Sequence, residues 1–595
     1  MPVVEEKPVI YQLVVRYFSN TNQTNKRDGT LLENGCGKFN EINDSAIAQI
    51  KSLGCTHIFL TGCLRQATLT DYAELGLPAD DPDIVKGRAG SMYAIRDYFD
   101  VCPDYAMKPQ NRMQEFEALV ERIHKAQMKV LIDFVPNHVA RSYLTINGQN
   151  SFGESDDQSQ FFSAQNNFFY LVSPPNQKLR LTRPSHWSPA DLRFDGLFAE
   201  ESGEAGKTVK ATGNNVANSD PPVDAWYEVI KLNYGFNFID GSTAYDPPPK
   251  TWLDMDEILR FWQEKGVDGF RCDFAHYVPQ EAWQFLIERA RDQSRNPQTY
   301  FIAEAYPWAG SGDPITDKKQ LVASGFNAIY SGESYRLLKN IYRQWSSIDD
   351  YDNEMKNASE DERLHSINYI ENHDEVRVAA PVDKSGFGSL RANYQLAPLQ
   401  YLYSSGAIML LNGQEVGEPG DGDKGFSTND GRTTIFDYWC MPEFAKWVNN
   451  HEYNDQNLSQ EQIALKRFLT DLLNLSQDRS IRGSGYWSLH YFNRPGNFSD
   501  CPDGLYSFAR FEPGDRRLLL VVANMKGDGN ASGTVRVPFE LSKLAGLKSV
   551  LRVSLILDNQ GAFERKVCDT TIDGIEKNGF LVDIAEQATY VYSVE

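Results

Sequence analysis

Long apolar runs are missing from this 595-residue chain, and no stretch approaches the ~20 residues a bilayer-spanning helix needs. Cysteine is sparse. The eight cysteines (Cys36, Cys55, Cys63, Cys102, Cys272, Cys440, Cys501 and Cys568) form no Cys-x-x-Cys pair and lie mostly beside strand-like or apolar segments. That argues against a disulfide frame or a zinc site and for buried thiols. Positive charge is also short, with 59 Lys and Arg against 81 Asp and Glu, so the net charge of −22 repels a phosphate backbone or an anionic lipid surface. Neither nucleic acid nor membrane is an expected partner. The first eight residues have neither the basic start nor the apolar stretch of a signal peptide. A cytoplasmic location is expected, although a processed, exported chain reads the same way.

What is present is globular. Hydrophobic residues at 41% and charged residues at 24% are near globular averages, and the length points to two or three domains. Aromatics make up 12%, a supply of faces on which sugars stack, although any single ring is more simply read as core. One local pattern repeats: an amphipathic helix, a Gly or polar residue, then a short and wholly apolar strand, as buried parallel strands require. It is clearest where Met113, Phe116, Val120 and Ile123 precede Val130 to Val135. Helices ending near Gly54 and Gly266 repeat it. Eight strands are expected: Val9 to Val15, Thr56 to Leu60, Val130 to Val135, Val267 to Asp273, Thr299 to Glu304, Phe326 to Tyr330, His365 to Glu371 and Ala407 to Leu411.

Eight such units predict an α/β fold, a (β/α)8 TIM barrel. The stretch from about Arg141 to Asp224 is too long for an ordinary loop and predicts an inserted domain after the third strand. After about Tyr486 strands follow one another without helices, and Val535, Val537 and Phe539 alternate with polar residues and Pro. A C-terminal antiparallel β-sandwich is expected there. The expected division is 1–138 and 233–485 for the barrel, 139–232 for the insertion and 486–595 for the sandwich.

In a barrel of this kind chemistry sits at the carboxyl ends of the strands. Those ends read Asp133-Phe-Val-Pro-Asn137-His138, Gly269-Phe-Arg271-Cys-Asp273, Phe301-Ile-Ala-Glu304 and Glu371-Asn-His373-Asp374. Arg271 and Asp273 are two apart and point to one face of their strand, where the guanidinium favours an ionised carboxylate. Glu304, one strand over, can face Asp273 across a cleft. One ionised and one protonated carboxyl about 5 Å apart are the equipment of retaining glycoside hydrolysis. Taken singly, each residue also has a plain structural reading, since Asp–Arg pairs tie strand ends and strand-end histidines are often just hydrogen-bonded. The conjunction at four strand ends favours a site.

In order along the chain, Asp133-Phe-Val-Pro-Asn-His138, Gly269-Phe-Arg-Cys-Asp-Phe-Ala-His276, Ala303-Glu304-Ala and Asn372-His-Asp374 closely resemble four conserved regions of glycoside hydrolase family 13, the α-amylase family. The likeness takes in the whole chain, with the insertion matching that family's domain B and the final strands its domain C. The resemblance implies Asp273 as nucleophile, Glu304 as general acid/base and Asp374 as a third carboxylate that grips sugar hydroxyls. It implies Arg271, His138 and His373 in the same subsite, and Tyr93 as the aromatic platform under the reacting sugar. Asp133 reads as structural. The implied activity is cleavage of α-glucosidic, mostly α-1,4, bonds in maltodextrin, starch or glycogen.

Two departures stand out. Many α-amylases carry Lys-His at the third and fourth positions after the nucleophile, and this chain has His276-Tyr277. His276 is therefore expected as a leaving-side contact, with Tyr277 beside it as a stacking face, and the spacing of His276 and Pro279 resembles maltosyltransferases, which keeps transfer to a sugar as an alternative. Asn137 matches a residue that often binds calcium through its side-chain oxygen, so the resemblance implies a structural calcium with Asn137 as the one ligand that can be named. Asp421-Gly-Asp423 has a metal-like look but is a common turn sequence. A non-catalytic glucan-binding relative would show gaps among the three carboxylates, and this chain shows none.

Overall fold

Eight short strands, each buried along its inner length, close on themselves: β1 (Val9–Val14), β2 (His57–Thr61), β3 (Lys129–Phe134), β4 (Gly269–Cys272), β5 (Tyr300–Ala303), β6 (Ala328–Tyr330), β7 (Ser366–Asn368) and β8 (Ala407–Leu411). All neighbours pair in parallel, and β1 seals the barrel by pairing with both β2 and β8. The computed structural model describes residues 6–146, 151–172, 177–201, 208–306, 315–343, 345–501 and 504–595; the first five residues, read above for a leader, lie outside them. All eight expected strands are found, several of them shorter at one or both ends. The three helices expected before Gly54, around Phe116 and before Gly266 are found at Asp44–Ser52, Arg112–Lys125 and Lys250–Glu264, and a further helix spans Gln280–Ala290.

The strands are continuous apolar runs because both faces are covered. Ile10, Phe59, Leu131, Ile302, Ile367 and Met409 fill the barrel interior, while Ile58, Ile132, Phe270 and Phe301 join the layer beneath the helices. Gly269 sits where a Cβ would lie 2.2 Å from the Tyr300 carbonyl, so only glycine lets β4 approach β5 this closely.

Between β3 and β4 the chain has little regular structure. A two-stranded ribbon, His138–Ala140 against Val229–Lys231, fastens its two ends together. Beyond the barrel, β9 (Gly485–Ser488), β10 (Leu505–Phe511), β11 (Leu518–Asn524), β12 (Ala531–Val535), β13 (Val550–Asp558), β14 (Gly561–Thr571), β15 (Phe580–Ile584) and β16 (Thr589–Val594) form two antiparallel sheets. The six-stranded sheet has the order β9-β10-β11-β16-β13-β14, and β12 pairs with β15. Leu518, Leu520 and Val522 of one sheet meet Val535, Val582 and Ile584 of the other. The expected alternation does not reach Phe539: Pro538 opens a helix, Phe539–Leu544, and the Phe539 ring is half exposed.

All eight cysteines are free thiols, and only Cys568 is not fully buried. Among the described residues no helix is long and apolar enough to cross a membrane.

Candidate active site

The β4 ladder sets the heights of the two central carboxylates. Asp273 N donates to the Phe134 carbonyl at 2.9 Å, Glu304 N to Cys272 O at 3.0 Å, and Ala275 N back to Glu304 O at 3.0 Å. Arg271, fully buried, then reaches both: Nη1 lies 2.6 Å from Asp273 Oδ1 and Nη2 lies 3.0 Å from Glu304 Oε2. The guanidinium lies between two rings, 5.3 Å from the centre of Tyr93 and 5.5 Å from that of Tyr330. Asp133 is 3.4 Å from Arg271 and accepts the Gly62 N–H at 2.7 Å, the structural role read from sequence.

The residue after Asp273 is strained. Phe274 adopts a left-handed conformation (φ 44°), unusual for a bulky side chain. That turn aims its N–H at Glu304 Oε2, 2.9 Å away, and packs its ring on Trp226 and Tyr277. Glu304 Oε2 is thus occupied by the Phe274 N–H and by Arg271. Asp273 Oδ1 is held by Arg271, whereas buried Oδ2 has no hydrogen-bond partner among the described residues.

Burial, and then the Glu304 charge, push the Asp273 acid well above the ordinary carboxylate range, while Arg271 opposes them. The shorter Arg271 contact is the one to Asp273, so the guanidinium favours that carboxylate in its ionised form against burial. Burial also works against ionised Asp374, but His373, 3.0 Å away, overcomes it and holds that carboxyl down at about 2. His373 is fixed from behind, with Gln12 Nε2 2.7 Å from Nδ1 and Tyr93 hydroxyl against Nε2. Burial and the Lys231 charge lower His138 to about 3, so its ring is neutral at pH 7.

A cavity of about 370 Å³ opens over these groups, lined by Tyr93, His138, Trp226, Asp273, Glu304 and Asp374. Five of the expected site residues thus meet at one opening. Arg271 and His373 lie beneath it and position the carboxylates. His276 is set apart, lining a neighbouring cavity of about 350 Å³ with Tyr306, Lys318 and Lys319. Tyr277 does not offer the expected stacking face: it is 5% exposed, parallel to Phe274 on one side and capped by the Lys231 ammonium at 5.4 Å.

Sequence reasoning missed Trp226, Phe274, Lys86 and Glu228. Lys86 and Glu228 form a 2.8 Å ion pair in the cavity wall, with Lys86 also over the Tyr227 ring. Trp226 and Glu228 lie in irregular chain without periodicity. Phe274, three residues after a flagged arginine and next to a flagged aspartate, was within reach.

The surroundings of Asn137 do not fit calcium. Its Oδ1 accepts from the Lys231 ammonium, while Nδ2 donates to Gly213 O and approaches His138 Nδ1, each at 3.0 Å. Calcium needs six to eight oxygens, and among the described residues no group of three or more His, Cys, Asp or Glu is placed to hold a metal. Asp421-Gly-Asp423 is a turn: Asp421 Oδ1 accepts the Gly422 N–H at 3.0 Å and an Asn429 amide proton at 2.8 Å.

Comparison with known proteins agrees with this architecture. Residues 12–193 match the family model described as "Alpha amylase, catalytic domain". Alpha-amylase 3 of Dictyoglomus thermophilum is 21% identical over 374 residues, covering 59% of this chain and 60% of the relative. A cyclomaltodextrin glucanotransferase of Geobacillus stearothermophilus is 22% identical over 439 residues, covering 70% and 50%. The chain therefore spans less than two thirds of the length of these curated relatives. Among solved structures, an α-amylase from Lactobacillus plantarum superposes with a TM-score of 0.58 at 16% identity, over 98% of both chains. With its closed parallel barrel, its trailing β-sheets and a segment, residues 12–193, that matches the α-amylase catalytic domain, the chain is similar to the α-amylase family, family 13 of the glycoside hydrolases.

Proposed function

We propose that the protein is a retaining glycosidase that cleaves α-glucosidic bonds, mostly α-1,4, in maltodextrin, starch or glycogen. The observation that carries this reading is the shared guanidinium: Asp273 and Glu304 flank Arg271 at the floor of one cavity, so a sugar bound there meets both carboxyls. Asp273 Oδ2, free of other bonds, attacks the anomeric carbon. The glycosidic C–O bond breaks as Glu304 passes its proton to the departing oxygen, leaving a glycosyl ester on Asp273. Glu304, now ionised, takes a proton from water, the water oxygen bonds to the anomeric carbon, and the ester is released. Asp374 grips ring hydroxyls as the sugar distorts, and Tyr93 supports the ring from below. No step uses a metal.

The test follows anomers by proton NMR during the first minutes of maltotriose cleavage. Two inversions give the α-anomer first. A β-anomer as first product would overturn the double-displacement reading.

Transfer to a sugar is the second reading, and the cavity beside His276 favours it, because it adds room for an acceptor beside Ala305 and Tyr306, the residues that follow Glu304. Hydrolysis is the expected main outcome at low substrate concentration. If longer oligosaccharides accumulate there with almost no new reducing ends, the transferase reading replaces it.

A further inference from the structure

The ribbon that fastens the insertion to the barrel carries a buried lysine where the family resemblance implies a metal; burial lowers it to about 7, so it is an ammonium below that pH. Lys231 is the last residue of its strand, opposite His138 in register, and is 5% exposed. Its backbone is tied on both sides: Lys231 N donates to Ala211 O and Leu232 N to Asn137 O, each at 3.1 Å. The ammonium donates to Asn137 Oδ1 and lies over the Tyr277 ring, so one cation touches the loop after β3, the loop after β4 and the insertion. A divalent ion within bonding distance of Asn137 Oδ1 would meet this ammonium, and the two charges repel at any separation that both could occupy.

We infer that Lys231 is a built-in cation that takes the place of a metal ion at this junction, joining the insertion to the barrel and positioning His138 without calcium. Lysine suits the task because its charge is compact and accepts a carbonyl oxygen and an aromatic face as partners. The ribbon needs no loaded ion to form, since its cross-link is part of the chain.

The test begins with the wild-type protein, so that no variant has to fold. After passage over a chelating resin it is assayed for calcium by mass spectrometry, and its melting curve is recorded at pH 6 with EDTA and with millimolar calcium chloride. The expected result is far less than one equivalent of calcium and one melting temperature in both solutions. One retained equivalent, or a melting temperature that falls in EDTA, would overturn the inference. These measurements do not rest on the proposed activity. Lys231→Met, of similar length but uncharged, should melt earlier. Assayed on maltotriose well below its melting temperature, it should lose about tenfold or more in kcat with little change in KM, because the loop bearing His138 is displaced. A Met variant with wild-type melting and wild-type kcat would also overturn it.

Discussion

Asp273 has two oxygens in different circumstances, one held by Arg271 and one left open, and this asymmetry yields a mutational expectation. Asp273→Asn and Glu304→Gln should each cut turnover by about 10²-fold or more. Melting temperature should stay level or rise for Asp273→Asn, since burial already works against the charge. Steady-state rates on maltotriose, read beside melting curves, check both. The same environment sets pH dependence. The nucleophile must be ionised, so kcat/KM falls as pH drops through the Asp273 value, which burial and Glu304 raise. The acid limb should therefore lie above the ordinary Asp value of about 3.9. In Glu304→Gln, assayed on an α-glycosyl fluoride that needs no general acid, one cause of the rise is gone and the limb should move to lower pH. A limb that stays in place would mean that Glu304 does not bear on Asp273. Much of this site was legible in the sequence because strand period two places Arg271 and Asp273 on one face, and because ionisable residues close four strands. The exposure of Tyr277 was not legible: adjacency to His276 says nothing of the Phe274 ring that covers it.

At the scale of elements, buried parallel strands announce themselves as unbroken apolar runs, and all eight could be found. Their ends were less legible. Ser366–Asn368 forms three residues of strand where seven were expected, since the ladder stops as the chain turns to deliver His373 and Asp374. Phe539 was read into a strand because alternation continued past Pro538, where helix geometry takes over. The insertion lacks either period, which hid Trp226 and Glu228. The loop between β2 and β3 depends on a single glycine. Gly90 has φ of +73°, and a Cβ on it would lie 1.8 Å from the Ala67 carbonyl, three residues before Tyr93. Gly90→Ala should displace that loop, lower stability by about 1–3 kcal/mol and reduce kcat/KM through Tyr93. Thermal melting and maltotriose kinetics would show both, and unchanged values in each would refute the dependence.

For the whole molecule, a net charge of −22 and buried neutral imidazoles both make acid consequential. His57 at the start of β2 is 6% exposed, and burial, aided by Lys129, lowers it to about 3. The unfolded chain binds a proton there near pH 6.5 and the folded chain does not, so this contribution to stability is complete above pH 6.5 and is lost as pH falls toward 3. The loss is on the order of 2–4 kcal/mol by pH 4. His57→Asn should flatten the decline in unfolding free energy between pH 6.5 and 4, measured by urea titration; an equally steep slope would place the effect elsewhere. The trailing sheets, with their own apolar interior, were legible as a change from helix-strand alternation to strands alone. Closure of the barrel by β1 against β8 bears also on how the chain is made. The first strand leaves the ribosome with one edge unpaired, and its partner there, Ala407–Leu411, lies some four hundred residues downstream. At about 5–20 residues per second, that edge waits roughly 20–80 s for its neighbour. Throughout that interval the nascent chain is an open sheet, the state most exposed to pairing with another chain and the one a chaperone would have reason to cover.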